Sequence, residues 1–377
     1  MDISDVAAKS RVFRRKLEKI KSGLNPEGFT WYPYHSPANF EHLERLLRGE
    51  RRNFLDLVRG GPVIDVGCGD GELAFFLESF GCNVVAIDHY STNWNGLCGV
   101  KLLKKALASS VEIRDVDIDT QFSVDGGPYS LALFLGILYH LRNPFHALST
   151  LARHARYCLL STRVARFTPG RRFSYHELPM AYLVDECETN NDSTNYWIFS
   201  ETGLRRLFKR CNWEICAYMT VPSRNPSDPV SPEGDERAFA LLKSAAVDPS
   251  RELLAGWHEL EYHAWRWTER RFSVAFHPGA NYGGATLRLS FSIPDSVADR
   301  LRGVTLNASV NGQPLAPESY SDAGPHSFVR ATPMEALKSA PLKFEFELDR
   351  ALPGDELDSR ERGVVVTSVE LEPTASR

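Results

Sequence analysis

The sequence predicts an α/β protein: a doubly wound sheet with an antiparallel edge pair, followed by a C-terminal all-β sandwich domain. Three observations predict it. An apolar run, Val63–Val66, stops at a turn carrying Gly67, Gly69 and Gly71, then continues into an amphipathic stretch. From there to residue 243, short apolar runs alternate with helical patterns, as in a parallel sheet covered on both faces. Beyond residue 265 the apolar residues recur with period two.

Each element follows from its own pattern. Residues 1–22 are polar and basic and read as a helix with a solvated face. An aromatic loop, FTWYPY, and a second helix come next. After the glycine turn, Leu73, Phe76, Leu77 and Phe80 place one apolar face on a helix that Gly81 is suited to end. NVVAID is the second strand, KLLKKALAS a helix, VEIRDVDI the third strand, and YSLALFL lies in the fourth. Pro144 opens a helix that runs to Ala155, and YCLLST is the fifth strand. Ser200 is placed to N-cap a helix with Leu204, Leu207, Phe208 and Cys211 on one face. WEICAYM and ERAFALL, joined by a loop, form the antiparallel edge pair. In the last third, ATLRLSFSI and VTLNASV alternate, and Asn311-Gly312 is a hairpin signal. KFEFEL and GVVVTSVEL continue the pattern. The expected organisation is a helical and aromatic extension at 1–45, an α/β domain at 46–243, a helical linker at 244–264 and the sandwich at 265–377.

Length and composition narrow the class. A chain of 377 residues suits two domains or one large one. The net charge of −4 gives no global field for nucleic acid. The seven cysteines form no CxxC pair and sit in apolar company, which reads as reduced thiols rather than disulfides or a zinc site. The N-terminus is charged and lacks the apolar core of a signal peptide, and no apolar run reaches membrane-span length. A cytoplasmic location without a membrane span is the expectation.

The glycine turn carries the chemistry. Glycine-rich strand-to-helix turns usually hold phosphates on a helix N-terminus. This one carries Asp65, Asp70 and Glu72, which would repel a pyrophosphate, and no Lys-Ser/Thr pair follows the glycines. A cationic, ribose-bearing ligand suits it better, and S-adenosylmethionine has an ammonium, a sulfonium and no phosphate.

VIDVGCGDG resembles the first motif of class I S-adenosylmethionine-dependent methyltransferases, a Rossmann-like family. The resemblance implies that Asp65 and the Gly67–Cys68–Gly69 backbone touch the cofactor. It implies that Asp88, at the tip of the second strand, bonds the ribose hydroxyls. Asp117 and Ile118 would hold the adenine edge, and Gly136 would floor the methionine moiety. LGILYHLRNPFHAL is further similar to the bacterial tRNA wobble-uridine carboxymethyltransferases. There a tyrosine and an arginine, matching Tyr139 and Arg237, help hold a carboxylated form of the cofactor. The lysine those enzymes also use has no counterpart at matching spacing; Lys21 lies at a different distance. Plain S-adenosylmethionine is therefore the expected cofactor, with the carboxylated form as the alternative.

Acceptor residues are read from position. His140 lies just past the cofactor floor, and its ordinary pKa suits a general base for an oxygen acceptor. It is equally placed to be a structural residue orienting its loop. Tyr139 either lines the methyl channel or packs. The polar loop DECETNNDSTNYW offers Asn190, Asn195 and Tyr196 to a hydroxyl-rich acceptor, or is a plain surface loop. The chain's end, PGDELDSRERGVVVTSVEL, resembles β-sandwich modules fused to enzymes of bacterial cell-surface polysaccharide assembly. That resemblance implies a glycan or small-molecule acceptor. The module serves equally well as a homo-oligomer interface, and Asp358 and Arg360 as an internal ion pair. Six arginines between 153 and 172 keep tRNA open as a partner, although such runs are usually solvated or paired internally. A non-catalytic cofactor-binding scaffold is the rival outside enzymes.

Overall fold

The sheet that carries the glycine turn is built around β1 (Val63–Val66), which is buried along its whole length. It runs parallel to β2 (Val84–Asp88) on one side and β4 (Tyr129–Leu135) on the other. Beyond β2 lies β3 (Glu112–Asp115) and beyond β4 lies β5 (Ala155–Val164), both parallel. β9 (Glu236–Ser244) adds antiparallel to β5, and β8 (Trp213–Val221) adds antiparallel to β9. Two short strands, β6 (Ala181–Leu183) and β7 (Trp197–Phe199), branch from the end of β5. The strand order, with its crossover at β1/β4, is that of a doubly wound fold, in which ligands bind beyond the strands' carboxyl ends.

The computed structural model describes all residues except 25–27, 121, 123–127, 190, 223–225, 247–250, 260, 262–264, 278–283, 339–340, 357 and 374–377. It divides into two units, Met1–Val247 and Asp248–Arg377.

Alternate residues of β1 feed different cores. Val63 joins one apolar cluster, and Ile64 and Val66 join another on the opposite face. Helices α1 (Ile3–Leu24), α2 (Asn39–Leu46), α3 (Leu55–Val58), α4 (Glu72–Glu78) and α5 (Cys98–Leu107) include residues of the first cluster. α6 (Pro144–His154) and α7 (Glu201–Arg210) serve the second. Pro144 starts α6, where its missing N–H costs no helical bond. Ser200 caps α7, its hydroxyl accepting the Gly203 N–H at 2.9 Å.

The extension predicted at 1–45 is no separate layer. Ile3, Val6, Ala7 and Leu17 of α1 and Phe40 of α2 are buried in the same cluster as Phe75, Phe76 and Leu131. Phe40 and Phe76 meet edge-to-face with centroids 5.0 Å apart. The basic residues Lys9, Arg11, Arg15, Lys16 and Lys19 lie on the other, exposed face of α1, as the sequence pattern predicts.

The second unit holds two antiparallel sheets. One has the order β10 (Arg251–Leu253), β12 (Arg271–Phe276), β17 (Leu342–Leu348), β14 (Val304–Val310), β15 (Gln313–Tyr320). The other has the order β11 (Arg266–Trp267), β18 (Val365–Pro373), β13 (Ala285–Ile293), β16 (Gly324–Ala331). The short helix α8 (Asp295–Leu301) follows β13. Inward residues of both sheets, among them Phe272, Phe346, Leu289 and Val366, form one apolar cluster. β13 alternates between buried and half-buried residues along its length, as its period-two sequence requires.

The linker predicted to be helical at 244–264 is not helical among its described residues; 247–250, 260 and 262–264 lie outside them. Arg251–Leu253 pairs with β12, and Trp257 bridges Thr268. Gly256 explains the break. Its φ is +73°, and a Cβ there would run into the Arg271 carbonyl, so the chain turns sharply against β12 instead of coiling.

Among the described residues no helix is long and apolar enough to cross a membrane. All seven cysteines are free.

Candidate active site

The chain leaves β1 at Val66, turns through Gly67–Gly71 and enters α4. Gly67 has a φ of +70°, and a Cβ there would collide with the Ile137 side chain from the loop after β4. Only glycine satisfies both the backbone and the close approach. Gly69 donates its N–H to Asp88 Oδ2 at 2.8 Å, tying the turn to the tip of β2.

Two carboxylates sit at this junction. Asp65 is 3% exposed, and its Oδ2 is buried without a hydrogen-bond partner. Burial first, and the Asp88 carboxylate second, push its pKa up to about 7. Asp88 is also raised, mainly by burial. It accepts bonds from Gly69 N, from Asn93 Nδ2 at 2.9 Å and from His89 N at 2.8 Å. A carboxylate has about four acceptor positions, so about one remains, on Oδ1.

Asp70 and Glu72 face the other way. Lys21, from α1, reaches Asp70 Oδ2 at 2.8 Å and Glu72 Oε1 at 2.7 Å, with its ammonium 5.0 Å from the Trp31 ring centroid. Tyr32 N and Asn95 Nδ2 also donate to Asp70. These two acids belong to an internal network, although Glu72 Oε2, like Asp65 Oδ2, is buried without a hydrogen-bond partner. The same segment brings the Tyr32 ring against Gly69.

Asp117 lies beyond β3 and is locally engaged. Its Oδ2 accepts from Thr120 Oγ1 at 2.6 Å and its Oδ1 from Asp119 N at 2.9 Å, and the Thr120 bond first among these holds its carboxyl below the usual range. Ile118 is buried beside it. Cys68 is buried, which pushes its thiol well above the ordinary value and leaves its backbone as the part able to contact a ligand.

The second cluster follows β4. Gly136, with φ +81°, donates its N–H to Ser161 O at 2.9 Å and opens a single 3-10 turn, Leu138–His140. Tyr139 meets Arg237 of β9: Nη1 donates to the tyrosine hydroxyl at 3.4 Å. Arg237 and Arg163 share Asp235, at 3.3 and 3.2 Å. His140 packs on Tyr139 with ring centroids 4.3 Å apart. Burial lowers its pKa, against a raising effect from Asp192.

Burial first, then the neighbouring Tyr139 hydroxyl, push the Tyr32 hydroxyl well above its ordinary pKa. Asp65, Gly67, Gly69, Asp88, Gly136, Tyr139, His140 and Arg237 thus gather at the carboxyl ends of β1, β2, β4 and the start of β9.

The polar loop behaves differently. Asn190 lies outside the described residues. Asn195 is buried, and its Nδ2 donates to the Thr189 and Asp192 carbonyls, so it braces the loop itself. Tyr196 accepts from Arg142 Nε at 3.0 Å under the guanidinium. Sequence reasoning missed Tyr32, Asn93, Asp192 and Thr194. The aromatic loop upstream of the fold was the available signal for Tyr32; the others carried none.

Residues 40–218 match the family described as a methyltransferase domain, a span just short of half the chain. No curated protein matches the sequence. Among solved structures, the N-terminal domain of EvdMO1 with SAH bound aligns at 17% identity, covering 62% of this chain and 97% of that one, with a TM-score of 0.40. A S-adenosylmethionine-dependent methyltransferase from Clostridium acetobutylicum aligns at 13% identity over 48% of this chain and 83% of that one, TM-score 0.34. Magnesium protoporphyrin IX methyltransferase from Synechocystis, with SAM bound, aligns at 18% identity over 50% and 72%, TM-score 0.33. At such scores these likenesses add nothing to the site argument.

Proposed function

We propose that this chain, whose residues 40–218 form a methyltransferase domain, transfers a methyl group from S-adenosylmethionine to a hydroxyl of a sugar or sugar-bearing acceptor. One observation carries the cofactor assignment: a buried carboxylate oxygen, Asp65 Oδ2, without a partner, beside a second acid and a glycine turn. An ammonium satisfies that oxygen, and a phosphate would be repelled by it. The Gly67–Gly69 backbone, Asp65 and Asp88 would hold the cofactor, with Ile118 and Asp117 at the adenine end and Gly136 below the methionine end.

The bound cofactor supplies a methyl group on a sulfonium, and transfer to oxygen leaves the C–S electron pair on sulfur. The protein's part is to align the acceptor in line with that bond and to exclude water. His140 takes the hydroxyl proton, so that the acceptor oxygen becomes an ether and the imidazole an imidazolium. Tyr139 and Arg237 line the acceptor side. An acceptor of this kind also suits a chain that carries an all-β second unit.

A second reading has one observation in its favour. Tyr139 and Arg237, the pair implied to hold a carboxylated cofactor for a tRNA wobble-uridine reaction, do meet. Against it, Lys21 is committed to Asp70 and Glu72. Arg163 and Arg166 of the arginine run are paired with Asp235, Glu201 and Glu236 rather than open to phosphate.

The mass of a co-purified ligand separates plain from carboxylated cofactor. Titration with S-adenosylmethionine tests the site itself. Asp88→Ala should weaken binding at least tenfold, since charge-assisted bonds to ribose and to Gly69 are lost together. Unchanged affinity by calorimetry would sink the assignment. Salt-sensitive tRNA binding would favour the second reading.

A further inference from the structure

His140 has two ring nitrogens, and the structure leaves them in unlike company. Nδ1 lies 2.9 Å from Thr194 Oγ1 and 3.2 Å from the Thr194 carbonyl oxygen. A carbonyl oxygen only accepts. The Thr194 hydroxyl has one proton, and it is committed: Oγ1 donates to Asp192 Oδ1 at 2.6 Å, and an ionised carboxylate can only accept. Both partners of Nδ1 are therefore acceptors, so Nδ1 carries the proton. In the neutral ring the lone pair is then on Nε2, across the ring from Thr194. No described residue bonds Nε2.

The chain holds this arrangement from several sides. Thr194 N donates to the same Asp192 Oδ1 at 2.9 Å, which closes a small turn around the carboxylate. Asn195 Nδ2 donates to the Asp192 carbonyl, and Tyr196 N donates to the Tyr139 carbonyl at 2.8 Å. The loop is thereby stitched to the backbone of the residue preceding His140. Besides Asp192, the charged group acting on His140 is Arg237 of β9, and Tyr139 covers one ring face.

We propose that Asp192 and Thr194 are positioning residues that fix His140 in the Nδ1–H form, making Nε2 the atom that takes the acceptor's proton. This deepens the proposed function and rests on His140 being the base. On proton transfer Nε2 gains the hydroxyl proton, Nδ1 keeps its own, and the Asp192 carboxylate stabilises the imidazolium through the bridging threonine hydroxyl. A base whose tautomer is preset spends no time in the form that cannot accept. The same logic gives a third residue its role behind catalytic histidines in unrelated folds.

The test needs no acceptor. The full chain, labelled with nitrogen-15 in its histidines and assigned with His140→Gln, reports both tautomer and pKa by magnetic resonance. The expected wild-type result is a neutral ring protonated at Nδ1. Thr194→Val should lower the Nδ1–H population, and Thr194→Ser should restore it. Asp192→Asn should lower the ring pKa by roughly one unit, since an opposite charge is removed. An Nε2–H ring in the wild type overturns the proposal, as would Thr194→Val and Asp192→Asn variants that both keep wild-type spectra and pKa. If Thr194→Val fails to fold, the wild-type tautomer and the serine variant decide. Wild-type turnover in His140→Ala would sink the base assignment alone, while the tautomer measurement stands apart from it.

Discussion

Two acid-bearing turns, one in each unit, handle charge in opposite ways. In the second unit, Asp358 is gripped by Arg360 through both oxygens, at 2.9 and 2.8 Å, and Arg360 also reaches Glu261 at 2.8 Å. Arg362 adds Asp355 at 2.8 Å. The Arg360 bonds hold the Asp358 carboxyl well below the usual range. Asp355, Asp358, Arg360 and Arg362 all have charged partners, and water reaches the group. In the glycine turn, Asp65 is sealed from water with one oxygen unpaired, and its pKa rises to about 7. A fold gains nothing from a buried, unpaired carboxylate, so a ligand is the natural partner. On the proposed reading, the Asp358 turn closes a loop and the glycine turn takes a cation.

Four measurements break or sharpen this contrast. The largest effect belongs to the acceptor side: His140→Ala should slow methyl transfer by about 10²–10⁴-fold in single turnover. Next comes Lys21→Met, which leaves Asp70 and Glu72 buried without their shared cation. Urea unfolding should report a loss of about 3–5 kcal/mol. Retained stability would mean that the glycine turn does not need this ion pair.

Third is Asp65→Asn, expected to weaken S-adenosylmethionine binding roughly 10–100-fold. The pH dependence has a definite sign. Folded Asp65 keeps its proton up to about pH 7, whereas the unfolded chain loses it near pH 4. Without ligand, stability therefore falls as pH rises between those values. An ammonium ligand selects the carboxylate, so binding at pH 6 should release a proton and weaken as pH drops further. Calorimetry in buffers of different ionisation enthalpy measures that release, which the asparagine variant should abolish. The smallest effect is Arg360→Ala. Its ion pairs are partly exposed, and the thermal midpoint should stay within experimental error of wild type.

The α/β order and the period-two strands were legible because each residue's environment there is set by its own element. Leu287, Leu289 and Phe291 announce a half-buried strand without reference to anything distant. The glycine turn and Asp88 were legible for the same reason, since strand tips and tight turns leave local marks. The linker reads as helical in sequence because the close approach of Gly256 to Arg271 depends on a neighbouring strand. Lys21 was passed over because sequence spacing cannot show that α1 lies beside the turn. Asp192 and Thr194 looked like ordinary loop polarity; only a hydrogen-bond inventory distinguishes them from Asn195.

The Lys21 ion pair bears on how the protein can be cut. The family match starts at residue 40, and a fragment begun there would look like a tidy catalytic domain. It would lose the cation that neutralises Asp70 and Glu72, together with the ring that lies on Gly69. Such a fragment would carry two buried acids without their cation and an unroofed glycine turn. Its failure to bind would then report the missing helix, and not the chemistry of the domain.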